Sequence, residues 1–458
     1  MADLTVGKEG RLIFRFAVPM LLGNVFQQLY SIINSIIVGN YLGKSSLAAV
    51  SASFPIIFLL ISLVIGIGMG STILISQYYG AKNIDKVKKT IDTTYIFLFI
   101  ASIAITIVGV IFCEDILRFT RLPEEIIPQA KTYLSVYLLG MVFFFGFNGT
   151  SAALRGLGDS KTPLYFLIIA NITNILFDLL LIRVFKLGVE GAAIATIISQ
   201  GGAFFSMILY LNKYHDIVKL RILKLQFDKE IFKKSLKIGL PTGMQQTFVS
   251  LGMLALNFII NPFGTNTIAA YGVGGRLDAF AALPAMNFSA ALSSFVGQNL
   301  GANKPERVKK GFQATLLMTS IVSVSVSIIV LLFGRWIMNL FTPDHVVIEL
   351  GYHYLVIVSS FYVVFSSMFI IGGVMRGAGD TLIPMFITLF ALWVVRIPLA
   401  YFLAPRFGVT GIWWAIPIGW SIGMVFSYAY YLTGRWKTKV VVKYKEDKIM
   451  DVVENETI

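Results

Sequence analysis

Charge is scarce in this sequence. Only 14% of its residues are Asp, Glu, Lys or Arg, and 56% are hydrophobic. An ordinary soluble domain is about 25% charged. So small a polar supply could not cover the surface of a water-soluble fold, and the solvent must be lipid. Cysteine is scarcer still. Cys113 stands alone, which excludes an intramolecular disulfide framework and says little about redox compartment. Histidine occurs three times, at His215, His345 and His353. No HExxH and no paired-acid motif accompanies them, so the chain offers no catalytic constellation and does not read as an enzyme.

What the sequence has instead is long apolar runs. A bilayer crossing needs about 20 mainly apolar residues. Such runs lie near 12–38, 46–79, 90–112, 126–154, 162–185 and 189–212, then near 236–261, 267–300, 312–333, 346–375, 382–404 and 409–434. The polar start MADLTVGKEGR precedes a run too long for a cleaved leader, whose core is about 7–15 residues. The first helix therefore reads as its own insertion signal.

The net charge of +14 raises the question of nucleic acid. With the N-terminus inside, twenty-eight of the Lys and Arg fall in inside segments and eight in outside segments. That bias is a positive-inside topology signal. The excess serves orientation and contact with anionic lipid, not a nucleic-acid site.

The chain also writes the same phrases twice. LRGLGDSKTP (Leu154–Pro163) returns as MRGAGDTLIP (Met375–Pro384), LAAV (47–50) as IAAY (268–271), and QYYGAKNIDKVKK (77–89) as QNLGANKPERVKK (298–310). GVEGAAIA (188–195) returns as GVTGIWWA (408–415). All these matches lie 220 or 221 residues apart. A unit of six spans is even, so both halves enter the membrane the same way, as a parallel repeat about an axis along the membrane normal. The expected fold is all-α and integral to the membrane. Twelve transmembrane helices form two six-helix lobes related by a pseudo-twofold axis. The lobes are 1–212 and 236–434, with a basic linker at 213–235 and a tail at 435–458. A cleft between such lobes is where substrate sites lie, and transporter is the leading class. The RGxGD phrases read as turns whose Arg and Asp pair or cap helix ends.

Polar residues present in one half only are the better functional candidates. Asp178 lies deep in span five, where its counterpart is apolar. A charge at the bilayer centre costs roughly 2.5–3.5 kcal/mol on insertion scales, so this acid calls for a partner, a cation or a proton. Asn174 shares its helix face at i−4, and Thr196 in span six adds a hydroxyl. These hard oxygens suit Na⁺, and the carboxylate alone suits a proton. Arg276 and Asp278 replace Pro55 and Ile57 of the first half. Two residues apart on a helix, they do not face each other, and Arg396 of span eleven is a candidate partner for Asp278. Together these three could dock helices, line the cleft or form a gate. Asn34 is polar in mid-span. Pro19 and Pro241 each remove a backbone hydrogen bond and are expected to kink spans one and seven.

Taken together, the two lobes, the VP at 18–19, IVGNYLG with LAAV, QYYGAKN/QNLGANK and the doubled RGxGD…P turn resemble the MATE family, the multidrug and toxic compound extrusion transporters. The likeness covers essentially the whole chain. It implies a monomer in the prokaryotic plasma membrane with both termini cytoplasmic. It also implies export of amphipathic organic cations by alternating access, driven by inward H⁺ or Na⁺, with no cofactor. The family's first-lobe cation site maps onto Asn174, Asp178 and Thr196, plus an acid in span one. The usual V-D-x-x-x-V-G there departs to Asn34 at the aspartate position. Asp178 is left as the only carboxylate of that site and is the candidate for Na⁺ binding. Spans seven and ten carry no acid apart from Glu349 at an edge, which resembles the DinF-like branch rather than the NorM-like one. The competing reading is a lipid-linked oligosaccharide flippase of the same superfamily. Such flippases usually carry two further C-terminal helices and several cavity-lining basic residues.

Overall fold

The structure is a computed structural model that describes residues 2–120, 122–220 and 224–442. Those residues form helices and their connections, with no strand among them. Lipid imposes this choice. A peptide group in hydrocarbon cannot bond to water, and a helix satisfies its N–H and C=O groups within one segment.

The elements are α1 (Glu9–Gly80), α2 (Ile84–Ile111), α3 (Cys113–Phe119), α4 (Ile127–Leu139), α5 (Met141–Gly156), α6 (Lys161–Asp178) and α7 (Gly188–Tyr214). They continue with α8 (Lys229–Ile260), α9 (Thr265–Gly301), α10 (Pro305–Asn339), α11 (His345–Ser359), α12 (Tyr362–Ala378), α13 (Leu382–Leu389) and α14 (Ile397–Leu432). Wide π-turns extend α6 over Leu179–Val184 and join α13 to α14 over Phe390–Arg396.

The helices α2, α6, α7, α8, α9 and α10 are each long and apolar enough to cross once. Two further crossings are bent pairs, α4 with α5 at 50° and α11 with α12 at 48°. The 72 residues of α1 would be ~108 Å long, against a hydrocarbon core of about 30 Å. It breaks at Gly43, where φ is 83° and ψ −177°. The run from α13 through α14 breaks likewise at Gly408. The described residues therefore make twelve crossings, near the positions expected from the apolar runs.

The repeat is written into the backbone. Positive φ occurs at Gly43 and Gly264, Lys82 and Asn303, Gly158 and Gly379, and Gly188 and Gly408, at the same 220–221 spacing. The bent pairs also correspond. The doubled RGxGD phrase is a helix stop followed by a helix start. Gly158 and Gly379 turn the chain out of α5 and α12. Asp159 Oδ1 then accepts from the backbone N–H of Lys161 and Thr162, both at 3.0 Å, as a capping carboxylate does. Asp380 instead accepts from the Tyr430 hydroxyl at 2.6 Å. Neither arginine pairs with its aspartate among the described residues. Arg376 donates to Ser289 Oγ at 2.6 Å. Short polar turns leave a carboxylate closer to free N–H groups than to a guanidinium on the preceding helix.

Packing divides the chain into two compact units. Unit 1 holds 15–72 and 88–247, while unit 2 holds 2–14, 73–87 and the chain from Phe248 on. The helices α1, α2 and α8 thus contribute to both. Residues 221–223 of the basic linker and 443–458 of the tail lie outside the described residues. The core of unit 1 gathers Val64, Leu98, Leu134, Phe145 and Ala193. That of unit 2 gathers Leu256, Met338, Leu355, Trp413 and Ile416. Pro19 and Pro241 sit inside continuous helical runs.

In unit 2 the end of α1 crosses the end of α9 in backbone contact. A Cβ on Gly80 would collide with the Gln298 carbonyl, and one on Gly301 with the Gln77 carbonyl. The two glutamines each hold an extended segment. Gln298 Oε1 accepts from Leu4 N–H at 3.0 Å, and Gln77 Oε1 accepts from Val441 N–H at 2.8 Å. Gly80→Ala or Gly301→Ala is expected to cost about 1–3 kcal/mol by overpacking against backbone that cannot rotate away. Thermal unfolding of the purified protein checks this, and an unchanged midpoint would contradict the contact.

Candidate functional site

Three helices of unit 1 each present a pair of polar residues at helical spacing, and the pairs converge. The first half of α1 brings Tyr30 and Asn34, α6 brings Asn174 and Asp178, and α7 brings Thr196 and Ser199. Residues three or four apart share a helix face, so each helix spends one face on the cluster and the rest on lipid or core. Asp178 is fully buried, Asn174 and Ser199 nearly so.

The hydrogen bonds assign the parts. Asn34 Nδ2 donates to Asp178 Oδ2 at 2.9 Å and lies 3.3 Å from Tyr30 Oη. One end of the Asn174 amide lies 2.7 Å from Asp178 Oδ2 and 2.9 Å from Tyr30 Oη. Its other end meets Thr196 Oγ1 at 3.2 Å, Ser199 Oγ at 3.0 Å and Thr196 N–H at 3.1 Å. A carboxylate oxygen on one side and a backbone N–H on the other fix the assignment by network. The amide nitrogen faces Asp178 and the amide oxygen faces α7. Two amide nitrogens thus donate to Oδ2, and Oδ1 is buried with no hydrogen-bond partner among the described residues. No ion pair reaches Asp178 among them either. Arg183, the nearest cation in sequence, lies over the Tyr41 ring at 5.7 Å. A buried carboxylate without a counter-charge is costly, and the open Oδ1 is where a proton or a small cation can act.

Unit 2 holds a second cluster at positions that are not repeat-equivalent to the first. Asp278 on α9 accepts from the hydroxyls of Tyr354 on α11 and Tyr362 on α12. Beside it, Tyr271 stacks on Trp413 at 5.7 Å between ring centroids, and Tyr354 meets Trp413 edge-on at 4.9 Å. Arg396 ends the π-turn, yet forms no ion pair with Asp278 among the described residues. Its Nε is buried and unbonded there. The tyrosines, not Arg396, bond Asp278, because hydroxyls on two facing helices reach it directly. Arg276 is exposed and stands apart from this cluster. Glu349 is spoken for by Arg335, in a two-pronged pair at 2.7 and 3.0 Å.

Sequence reasoning thus named four residues that the structure brings together, namely Asn34, Asn174, Asp178 and Thr196. It missed Tyr30 and Ser199, which helical spacing from Asn34 and Thr196 could have supplied. It also missed Tyr354 and Tyr362, for which no local signal exists.

The MatE family profile matches the chain twice, at residues 19–180 and 241–402. The chain belongs to the MATE family. Among its relatives, a probable multidrug resistance protein YoeA of Bacillus subtilis (strain 168) is 35% identical over 439 residues, covering 93% of this chain and 94% of that one. YpnP of the same organism, also named a probable multidrug resistance protein, is 32% identical over 95% of this chain and 97% of its own. A crystal structure of MATE in the bent conformation superposes with a TM-score of 0.87 at 26% identity, covering 94% of this chain and 96% of that one. As a MATE protein the chain is a multi-pass membrane transporter, and the two profile matches fall on the two halves of the repeat.

In this MATE protein, Tyr354→Phe and Tyr362→Phe each leave a partly buried Asp278 oxygen without its donor. Each is expected to lose about 1–3 kcal/mol of stability. Combined with Asp278→Leu, the losses should be less than additive. A double-mutant cycle on thermal unfolding in detergent measures this. Full additivity would mean the tyrosines do not act on Asp278.

Proposed function

We propose that this chain is a secondary active antiporter of the cell membrane. It exports amphipathic organic cations and similar toxic compounds by alternating access, drawing on inward H⁺ or Na⁺. The observation that carries the reading is the buried Asp178, which among the described residues has no partner on Oδ1 and no ion pair. Such a group binds one monovalent cation and is neutral when it does. Release leaves a negative charge that only amide and hydroxyl dipoles soften. The two states differ by a full charge in low dielectric, enough to bias a conformational equilibrium by several kcal/mol.

Asn34, Asn174, Tyr30 and Thr196 shape this site. Tyr30, Thr196 and Ser199 supply oxygens suited to Na⁺, and the carboxylate suits a proton. With Asn34 in place of an acid, the site takes one charge and not two. The names of the relatives favour drug export, and the basic inside segments favour cytoplasmic termini. Absence of acids from the apolar parts of spans seven and ten supports the DinF-like branch. Both clusters are compact, with a single carboxylate each, which favours a small cation over the lipid-linked oligosaccharide of the competing reading. Arg276, Asp278 and Arg396 are read as cavity or gating residues of the second half, and the protein as a monomer that needs no cofactor.

Proteoliposomes with imposed pH or Na⁺ gradients test this. Asp178→Asn should abolish gradient-driven efflux of ethidium while the protein still folds. Efflux at the wild-type rate would make Asp178 merely structural.

Asn34→Asp should act in the other direction. It would set a second carboxylate 2.9 Å from Asp178 Oδ2, in place of the amide donor, and like charges so close hold a shared cation or proton more firmly. Cation binding should strengthen and the pH profile of efflux move to higher pH. If neither changes, position 34 lies outside the coupling site.

A further inference from the structure

Unit 1 contains a cavity of about 10 Å³ bordered by Tyr137, Gly140, Phe144, Thr196 and Gln200. That volume is near the least that holds a single water molecule. Its position is particular. Gly140 is the break in span four, between α4 and α5, where the axis bends by 50°. Thr196, another lining residue, belongs to the Asp178 cluster through its 3.2 Å contact with the Asn174 amide. The cavity therefore adjoins both a discontinuity in a membrane helix and the cluster itself.

Gln200 supplies the second observation. It lies one turn beyond Thr196 on α7, on the same face. Its Oε1 is buried with no hydrogen-bond partner among the described residues. An amide oxygen left unsatisfied in a buried site costs about 1–3 kcal/mol. Gln200 and Thr196 both line the water-sized cavity, and Thr196 carries a second hard oxygen, Oγ1, which donates to the Ala192 carbonyl at 3.0 Å and keeps lone pairs for a guest. Two such oxygens around a water-sized space suit a hydronium ion, which donates to both, or Na⁺, which they ligate. The titratable groups facing one another around this region are Asp178 of span five, Tyr30 of span one, and Tyr133 and Tyr137 of span four. Span six adds none there, only the neutral Thr196, Ser199 and Gln200. Its nearest charged residues, Glu190 and Lys213, lie at the two ends of α7.

The geometry points to a second station for the coupling cation at this cavity, held by Gln200 Oε1 and Thr196 Oγ1, through which the ion reaches Asp178 past the break in span four. This rests on the reading of Asp178 as the coupling carboxylate. Na⁺ exchanges part of its water shell for the two oxygens and then for Asp178 Oδ1, with no covalent change. A hydronium ion instead passes its proton to Asp178 Oδ1, forming the carboxyl O–H and leaving a water molecule behind.

The test is ethidium efflux from proteoliposomes of the full chain, titrated separately with Na⁺ and with pH. Gln200→Met keeps the volume and removes the acceptor. It should raise the Na⁺ or H⁺ concentration for half-maximal efflux about tenfold, as for one lost polar contact to a cation. Gln200→Glu strengthens the acceptor and should lower it. Opposite shifts in the Na⁺ titration alone assign the station to Na⁺, and opposite shifts in the pH titration alone assign it to the proton. Ethidium binding at saturating Na⁺ separates these effects from damage to the substrate site. If Gln200→Met does not fold, Gln200→Glu and Gln200→Asn carry the comparison. Unshifted titrations in the folded variants overturn the station. Retained gradient-driven efflux in Asp178→Asn overturns the coupling reading beneath it.

Discussion

A backbone group inside a bilayer has no water to fall back on, and everything else in this protein follows from that. Helices are the only economical answer, so the interruptions carry the information. They are few and are made in specific ways: glycines at positive φ, two bent pairs, and two π-turns, one directly after Asp178 and one ending at Arg396. Wide turns of this sort recur at functional positions, and both here touch a candidate charge.

The two polar clusters answer the same problem differently. Asp178 is met by amide donors on one oxygen only. Asp278 is met by phenolic hydroxyls on both, inside a wall of stacked rings. The first arrangement leaves an acceptor for an exchangeable ligand. The second gives each carboxylate oxygen a hydroxyl donor of its own. Among the described residues, Asp178 is the buried acid left with an unpartnered oxygen, and the asymmetry between the halves lies in side chains rather than in the fold.

Much of this was legible in the sequence, for physical reasons that differ by feature. Span positions follow from hydropathy because lipid filters every residue. The repeat follows from phrases such as QYYGAKN and QNLGANK, which mark positions where backbone meets backbone. Asn34, Asn174, Asp178 and Thr196 stood out because polar atoms in apolar runs are expensive. The pairing of Asp278 was not legible. Tyr354 and Tyr362 lie 76 and 84 residues away, and an aromatic residue in a membrane helix is common enough to carry no signal. The exchange of helix ends between packing units was hidden as well, since no local pattern reports where a continuous helix changes neighbours.

The crossing of Gly80 and Gly301 bears on how the two halves can drift apart over time. Where two side chains touch, one can shrink as the other grows. Where two backbones touch, nothing is left to trade, so positions 80 and 301 admit one solution and must keep it together. The clusters lie elsewhere, at sites whose partner in the other half is free to be apolar: Leu399 opposite Asp178, and Ile57 opposite Asp278. A duplicated transporter built this way is locked in register where its backbones cross and free to specialise elsewhere.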